Sequence, residues 1–264
     1  MGFAFIEARV SSPMIRLTLF ESRSFSGANL LTLFPYAALG IFFFLFPMNL
    51  IQVQGYSTTA TGEAALPLIL LMFFLSQWSG GLVTRYGPKA PLIIGPVIAA
   101  IGFVLFAIPD VEASYWKTFF PAFVVLGLGM AISVAPLTTV VMSSVGQDRA
   151  GTASGVNNAV ARVAGVLAIA IFGIVMVRLF SSTLNRNLAS ASLPPGILQY
   201  IRSNEIKLAG LDLPSGLDAN TTALIRVSIS HAFVFGFRTV MLICAGLSLA
   251  SAAVASLMIP ARVE

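Results

Sequence analysis

Charge is what this sequence has least of. Only 9% of its 264 residues are charged and 57% are apolar, with a mean hydropathy of +0.92, whereas soluble domains carry about 25% charged residues. So few charges cannot clothe a chain of this length in a water-facing surface. A soluble globular protein is excluded, and lipid must cover most of the exterior. Cysteine and histidine are nearly absent as well. Cys244 stands alone inside an apolar run, which excludes disulfides within the chain and cysteine-ligated metal. The single histidine, His231, excludes histidine-rich metal chemistry, so neither a metal nor a cofactor is expected.

Acids at membrane depth are missing too. Glu7, Glu21, Glu63, Asp110, Glu112, Asp148, Glu205, Asp212, Asp218 and Glu264 all fall outside the long apolar runs or at their ends. Proton-coupled carriers use intramembrane carboxylates, so any such coupling would reside elsewhere. Intramembrane hydrolases and transferases need His, Asp or Cys groups at that depth; without them an enzyme is not expected, and His231 reads as an interface residue. The net charge of +5 comes from basic residues scattered between apolar runs, which excludes a nucleic-acid partner and marks topology instead.

What is present is long hydrophobic runs. A span needs roughly 20 mostly apolar residues to cross about 30 Å of hydrocarbon. Six stretches qualify, at 27–51, 64–83, 90–108, 119–141, 154–177 and 232–258, and predict an all-α integral membrane protein with a six-transmembrane-helix bundle. Residues 1–9 read as the last turn of an apolar helix, the stub of a preceding membrane helix. The expected organisation is therefore a stub and cytoplasmic linker at 1–26, a six-helix domain at 27–259 and a cytoplasmic tail at 260–264.

Basic residues orient the spans. Arg9, Arg16 and Arg23 precede the first, Arg85 and Lys89 lie between the second and third, and the polar turn 54–62 carries none. By the positive-inside rule both termini, Arg262 included, are cytoplasmic and the first turn is external. The long loop 181–230 is then external despite Arg186, Arg202, Lys207 and Arg226, with a short surface helix at 197–208. The first three spans run in-out-in-out and the last three out-in-out-in, two three-helix groups of opposite orientation, the arithmetic of a 3+3 inverted repeat.

Chemistry is sparse. In the fifth span Gly151, Gly155, Asn158, Arg162, Gly165 and Ile169 fall on one helical face, small and polar enough to be expected against a neighbouring helix, with Asn158 hydrogen-bonding across. Val156, Val160, Val163, Leu167 and Ile171 are expected towards lipid. Arg162, about two turns in, costs at least a few kcal/mol unless paired or hydrated. Two readings are open: a cavity residue that binds an anionic group or stabilises one gating state, or a structural arginine bonded to carbonyls or Asn158.

Pro35, Tyr36, Gly40, Pro47, Asn49 and Gln52 sit among phenylalanines in the first span. Prolines free carbonyls that neighbours or a wet cavity must satisfy, and aromatics beside amides suit apolar, loosely specified ligands; ordinary packing accounts for the same residues. Gln77, Trp78, Ser133, Thr138 and Arg238 are further cavity candidates.

On these residues the chain resembles the C-terminal domain of a major facilitator superfamily transporter of the fourteen-helix drug:proton antiporter subfamily. Gly80, Leu82, Arg85, Gly87 and Lys89 are similar to that superfamily's cytoplasmic G-x-L-x-D-R-x-G-R-K turn, with Thr84 and Pro88 departing from it. The stretch 52–57 with Gly62 and Pro67 resembles the first helical hairpin of the domain, and 151–155 with Asn158, Arg162 and Gly165 its penultimate helix. The resemblance implies rocker-switch alternating access and export of hydrophobic or cationic small molecules by proton antiport. It implies as partners the lipid bilayer of the plasma (inner) membrane, a small-molecule substrate and a missing N-terminal transporter domain, the chain being a fragment or truncated product. The alternative is a non-transporting scaffold or remnant of such a transporter.

Overall fold

The computed structural model describes residues 17–146, 149–189, 191, 193–214 and 216–260. The expectations placed on the stub at 1–9, on Arg9, Arg16, Asp148 and Arg262 lie outside the described residues. Six helices are long and apolar enough to cross a membrane, and among the described residues there is no strand.

Helix α1 (Arg23–Met48) starts at Ser22, whose side chain accepts from the Phe25 amide, an orthodox N-cap. Pro35 and Pro47 lie inside it, and after Pro47 the chain widens into one π turn, Asn49–Val53. A proline ring displaces the carbonyl four residues back, and a wide turn absorbs the misfit. A short helix, Thr58–Ala64, capped by Ser57, leads into α2 (Leu66–Tyr86). Gly87 at φ 74° ends α2, its amide bonded to Val83 O at 2.9 Å, a conformation open to glycine at little cost. Pro88 then caps α3 (Lys89–Phe106). Helix α4 (Phe120–Ser143) is entered through a π turn at Tyr115–Phe119, and α5 is Ala150–Leu188.

The last spans are longer than hydropathy indicates. Helix α5 has 39 residues and α7 (Ala219–Met258) has 40, close to 60 Å each at about 1.5 Å per residue, or roughly twice the hydrocarbon thickness. Much of the expected loop at 181–230 is thus helix. Phe180, Leu184 and Leu188 recur every four residues, as do Ile225, Ile229 and Phe233, and all six are buried. That spacing makes one apolar face on helices too polar on average to register as spans. Between them lie α6 (Pro195–Asn204) and a 3₁₀ turn, Glu205–Gly210, where the surface helix was expected. Asn185 ties this cap together, donating to Glu205 Oε1 at 2.9 Å and accepting from Arg202 Nε at 3.1 Å.

Helix neighbours exchange in part as an inverted repeat requires: α1 packs on α5 as α4 packs on α2, and α1 on α7 as α4 on α3, whereas α5 packs closely on α7 and α2 barely touches α3. The buried interior holds a phenylalanine cluster in which Phe42, Phe46, Phe106 and Phe123 stand 4.7–6.0 Å apart. Aromatic pairs at this spacing add about 0.5–1.5 kcal/mol each beyond burial. Phe43 and Phe44 face outward. The phenylalanines of α1 therefore divide between core and exterior. The α1–α5 seam closes where Gly40 meets Gly165: a Cβ on Gly40 would lie 2.6 Å from the Gly165 Cα.

Candidate functional site

Helices α2 and α5 have the fewest neighbours. α2 leans almost wholly on α4, and α5 on α1 and α7, so each leaves a broad face uncovered.

On α5 the expected orientation is reversed over its first three turns. Gly151, Gly155, Asn158 and Arg162 are exposed, and a Cβ at Gly151 or Gly155 would meet nothing within 4 Å. Gly165 alone of the small residues sits in a tight seam, with Ile169 half-buried. Val156 is buried and Val160 half-buried, while Val163, Leu167 and Ile171 are exposed. The buried side is made instead by Ala153, Asn157, Ala164 and Ala168. The cross-helix hydrogen bond belongs to Asn157, whose Nδ2 donates to Thr32 Oγ1 at 2.6 Å and to Asn29 Oδ1 at 3.3 Å. Neither partner is left wanting: Thr32 donates to Ala28 O and Asn29 to Phe25 O. Sequence reasoning missed this clamp, because Asn157 and Asn158 are adjacent and spacing alone favoured the neighbour of Arg162; the pair of polar residues at 29 and 32 was the available signal.

Arg162 makes no hydrogen bond or ion pair among the described residues. It lies about 12 Å along the helix from the start of the apolar run at 154. An arginine at such depth costs about 2.5–3.5 kcal/mol when unpaired in lipid, so its environment in the working membrane must supply water or an acceptor.

The glycine-bearing turn keeps Arg85 at the surface, while Lys89 is half-buried. Arg85 lies over the Tyr86 ring, 5.3 Å from its centroid, a cation–π contact, and both side chains are exposed. Arg85 sits favourably at the C-terminus of α2, whereas Lys89 opens α3 where the helix dipole disfavours a cation. Helix stability does not explain Lys89. Leu82 and Gly87 are half-buried, and Gly80 is half-buried with free space where a Cβ would be.

The remaining candidates scatter. Tyr36 is half-buried along the α1–α5 seam, where its carbonyl faces Gly165. Asn49 is 2% exposed and within 3.5 Å of Gln54 Nε2. Gln52 packs on Gly210 of the 3₁₀ turn. Gln77 and Trp78 are exposed on α2. Ser133 and Thr138 bond to carbonyls of their own helix.

Arg238 is a fastener. Its Nε and Nη2 donate to Pro109 O at 3.1 Å and Ile108 O at 3.0 Å, in the connection just after α3, and Nη2 lies 3.2 Å from Asp110 Oδ2. His231 Nδ1 stands 3.9 Å from the other carboxylate oxygen. From the opposite side Gln54 donates to Asp110 O and accepts from the Ala113 amide, both at 2.9 Å. The Val111 amide, more than the nearby Arg238 and His231, holds the Asp110 carboxyl below the usual carboxylate range. Two inter-helix connections are thereby locked to α7 at one end of the bundle.

Comparison with known proteins places these features. The family model described as Major Facilitator Superfamily matches residues 5–169. The chain is 28% identical over 264 residues to the tetracenomycin C resistance and export protein of Streptomyces glaucescens, covering 96% of this chain and 47% of that one. It is 32% identical over 200 residues to the multidrug resistance protein Stp of Mycobacterium tuberculosis, covering 73% and 36%. A bacterial homolog of the human lysosomal transporter Spinster, solved inward-facing and occupied, superposes with a TM-score of 0.67 at 16% identity, over 90% of this chain and 50% of that one; at that identity the likeness is one of fold. The chain spans about half the length of the relatives it matches.

Proposed function

The chain belongs to the Major Facilitator Superfamily, and on that premise we propose that it is the C-terminal six-helix domain of a fourteen-helix drug:proton antiporter in the plasma (inner) membrane, with cytoplasmic termini. Residues 27–259 form the transport domain, 1–26 the link from preceding helices and 260–264 the tail. The complete pathway exports hydrophobic or cationic small molecules by rocker-switch alternating access, with substrate between two six-helix domains. The drug-resistance and export functions named for the relatives support this reading.

The observation that carries it is the outward polar stripe of α5. Asn158 and Arg162 lie exposed at membrane depth with small residues beside them, a surface that lipid penalises and a second helical domain or a wet cavity accommodates. A cation would repel cationic substrates, so Arg162 acts by pairing with an acceptor on the other domain in one of the two access states, and not by touching substrate. The turn carrying Gly80, Leu82, Arg85, Gly87 and Lys89 is the cytoplasmic gate, closing when the domains meet there.

Proton-driven uptake into inverted vesicles tests the assignment. Vesicles holding this chain joined to the N-terminal domain of a relative are expected to accumulate a lipophilic dye when a proton gradient is imposed, and vesicles holding the chain alone are expected to be inert. Proton-dependent accumulation by the chain alone would sink the proposal. Silence in both would favour the scaffold reading.

A further inference from the structure

At the end of the bundle that carries Asp110, the segment 209–213 packs over the end of α1 and leaves a polar pocket of about 400 Å³ between itself, Gln52 and α7. That is within the usual range for small-molecule sites, about 300–1,000 Å³. Neither α2 nor α5, whose broad uncovered faces a second domain would meet, contributes a lining residue. An uncommon backbone sets the wall at 209–213. Leu208, at the kink in the 3₁₀ turn, has φ 54° and ψ −131°, a region costly for any residue but glycine, and burial of its side chain holds it there. Gly210 then lies directly on Gln52. A Cβ on it would stand 2.8 Å from Gln52 Nε2, 3.3 Å from Cδ and 3.5 Å from Oε1, so the amide is laid across the glycine and kept at the pocket wall.

Three side-chain donors meet at this pocket. Arg226 and Ser230 stand one turn apart on α7, and Gln52 follows the first apolar run. None of the three makes a hydrogen bond or ion pair among the described residues. Water alone accounts for an exposed arginine. It does not account for an amide fixed beside that arginine with its hydrogen bonds unspent. The carboxylate at the rim is already engaged: Asp212 stands 3.8 Å from Lys207 Nζ, and its side chain is 85% exposed to solvent. Arg226 therefore leaves the pocket with an excess of positive charge. A cationic ligand is opposed, and a neutral one leaves the guanidinium unpaired. A carboxylate suits it, because the planar guanidinium fork matches two carboxylate oxygens and Gln52 and Ser230 can donate to the same group. Leu211, Leu213 and Ile229, also at the wall, offer an apolar surface to a short carbon chain.

We propose that this pocket binds a short-chain carboxylate, its oxygens on Arg226, Gln52 and Ser230 and its carbon chain against Leu211, Leu213 and Ile229. The site goes beyond the transport reading, and the chain alone tests it. The full chain is placed in nanodiscs of phosphatidylcholine, whose headgroups carry no net charge, and trifluorobutyrate is titrated at neutral pH with its fluorine NMR line width as the readout and empty discs as background. Saturable broadening is expected, relieved by unlabelled butyrate and not by chloride at equal ionic strength. The neutral analogue trifluorobutyramide should bind at least about tenfold more weakly, and Arg226→Gln should raise the Kd of the carboxylate by at least about tenfold, the worth of one hydrogen bond to a charged group. Gly210→Ala, whose new methyl group pushes the Gln52 amide off the wall, should raise it about threefold, the worth of a neutral donor. Circular dichroism checks that both variants fold, as expected for an exposed, unpartnered arginine and for a methyl group that meets only the end of a flexible side chain. Equal binding of the amide, no saturation, or unchanged affinity in either variant would overturn the proposal. Displacement of the probe by inorganic phosphate at a lower concentration than by butyrate would overturn it in favour of a phosphate site. Failure here would leave the uptake experiment untouched.

Discussion

Replacing Gly40 by alanine adds one methyl group where helix α1 meets α5, and the structure states what it meets. The new Cβ would lie 2.6 Å from Gly165 Cα, 3.0 Å from its carbonyl oxygen and 3.1 Å from its carbonyl carbon. All three are backbone atoms, so no side chain can swing aside. Ordinary contact between carbons needs about 3.5–4.0 Å, so the helices must part by roughly 1 Å. Overpacking of this kind costs about 1–3 kcal/mol. A second loss follows, because Thr32 and Asn157 lie eight residues from Gly40 and Gly165, about 12 Å along the same seam. Their hydrogen bond, 2.6 Å in length, is stretched by the same separation, and interhelical bonds in membranes are worth about 0.6 kcal/mol, up to about 1.7. The sum is a destabilisation of about 1.6–4.7 kcal/mol, read as the free energy of unfolding in a titration from mild detergent into SDS. Gly173→Ala is the control, since a Cβ there meets nothing within 4 Å and alanine favours a helix by about 0.8–1.0 kcal/mol over glycine. If Gly40→Ala proved as stable as Gly173→Ala, the close approach of α1 and α5 would be refuted.

Asn157→Leu should destabilise the chain by about 0.6–1.7 kcal/mol, and Asn158→Leu should leave it unchanged or more stable in the same titration; the opposite order would mean that α5 is rotated. Arg238→Met strips two carbonyls and Asp110 of their partner, and hydrogen bonds to charged groups are worth about 1.5–3 kcal/mol, reduced here by partial exposure. Because the Asp110 carboxyl is held below its usual range, its contribution is complete above the unfolded-state value of about 3.9 and is lost as pH falls through the lowered native value; a stability profile from pH 6 to pH 2.5 should show this loss, and Asp110→Asn should abolish it. Arg162→Ala should leave the stability of the chain within about 0.5 kcal/mol, since no partner is lost, yet sharply reduce efflux in the joined protein. Unimpaired efflux would remove Arg162 from the mechanism.

Much of the architecture is legible because membrane helices obey a local rule. Twenty apolar residues in a row can do little else than span, so the sequence indicates six long apolar helices and the structure has six. The turn at Gly87 is local as well, since a glycine followed by proline ends one helix and opens the next. What was hidden in the region 181–230 was also periodic, but amphipathic: Phe180, Leu184 and Leu188 form a face that average hydropathy dilutes with serine, asparagine and arginine.

The site was less legible, and α5 shows why. The spacing of Gly151, Gly155, Asn158 and Arg162 establishes that they share a face, because 3.6 residues per turn is a property of the helix alone. It does not establish where that face points. Rotation about the helix axis was decided by fit against α1, where Gly165 admits Gly40 and Asn157 reaches Thr32, and these contacts join residues more than a hundred positions apart. The same holds for Arg238, whose partners at 108–110 come from the connection between α3 and α4. The sequence by itself determined that this chain lives in lipid, how many times it crosses and which residues travel together on each helix. Only the tertiary structure decided which of those faces turn inward, because that choice depends on the shapes of neighbours brought together by the fold.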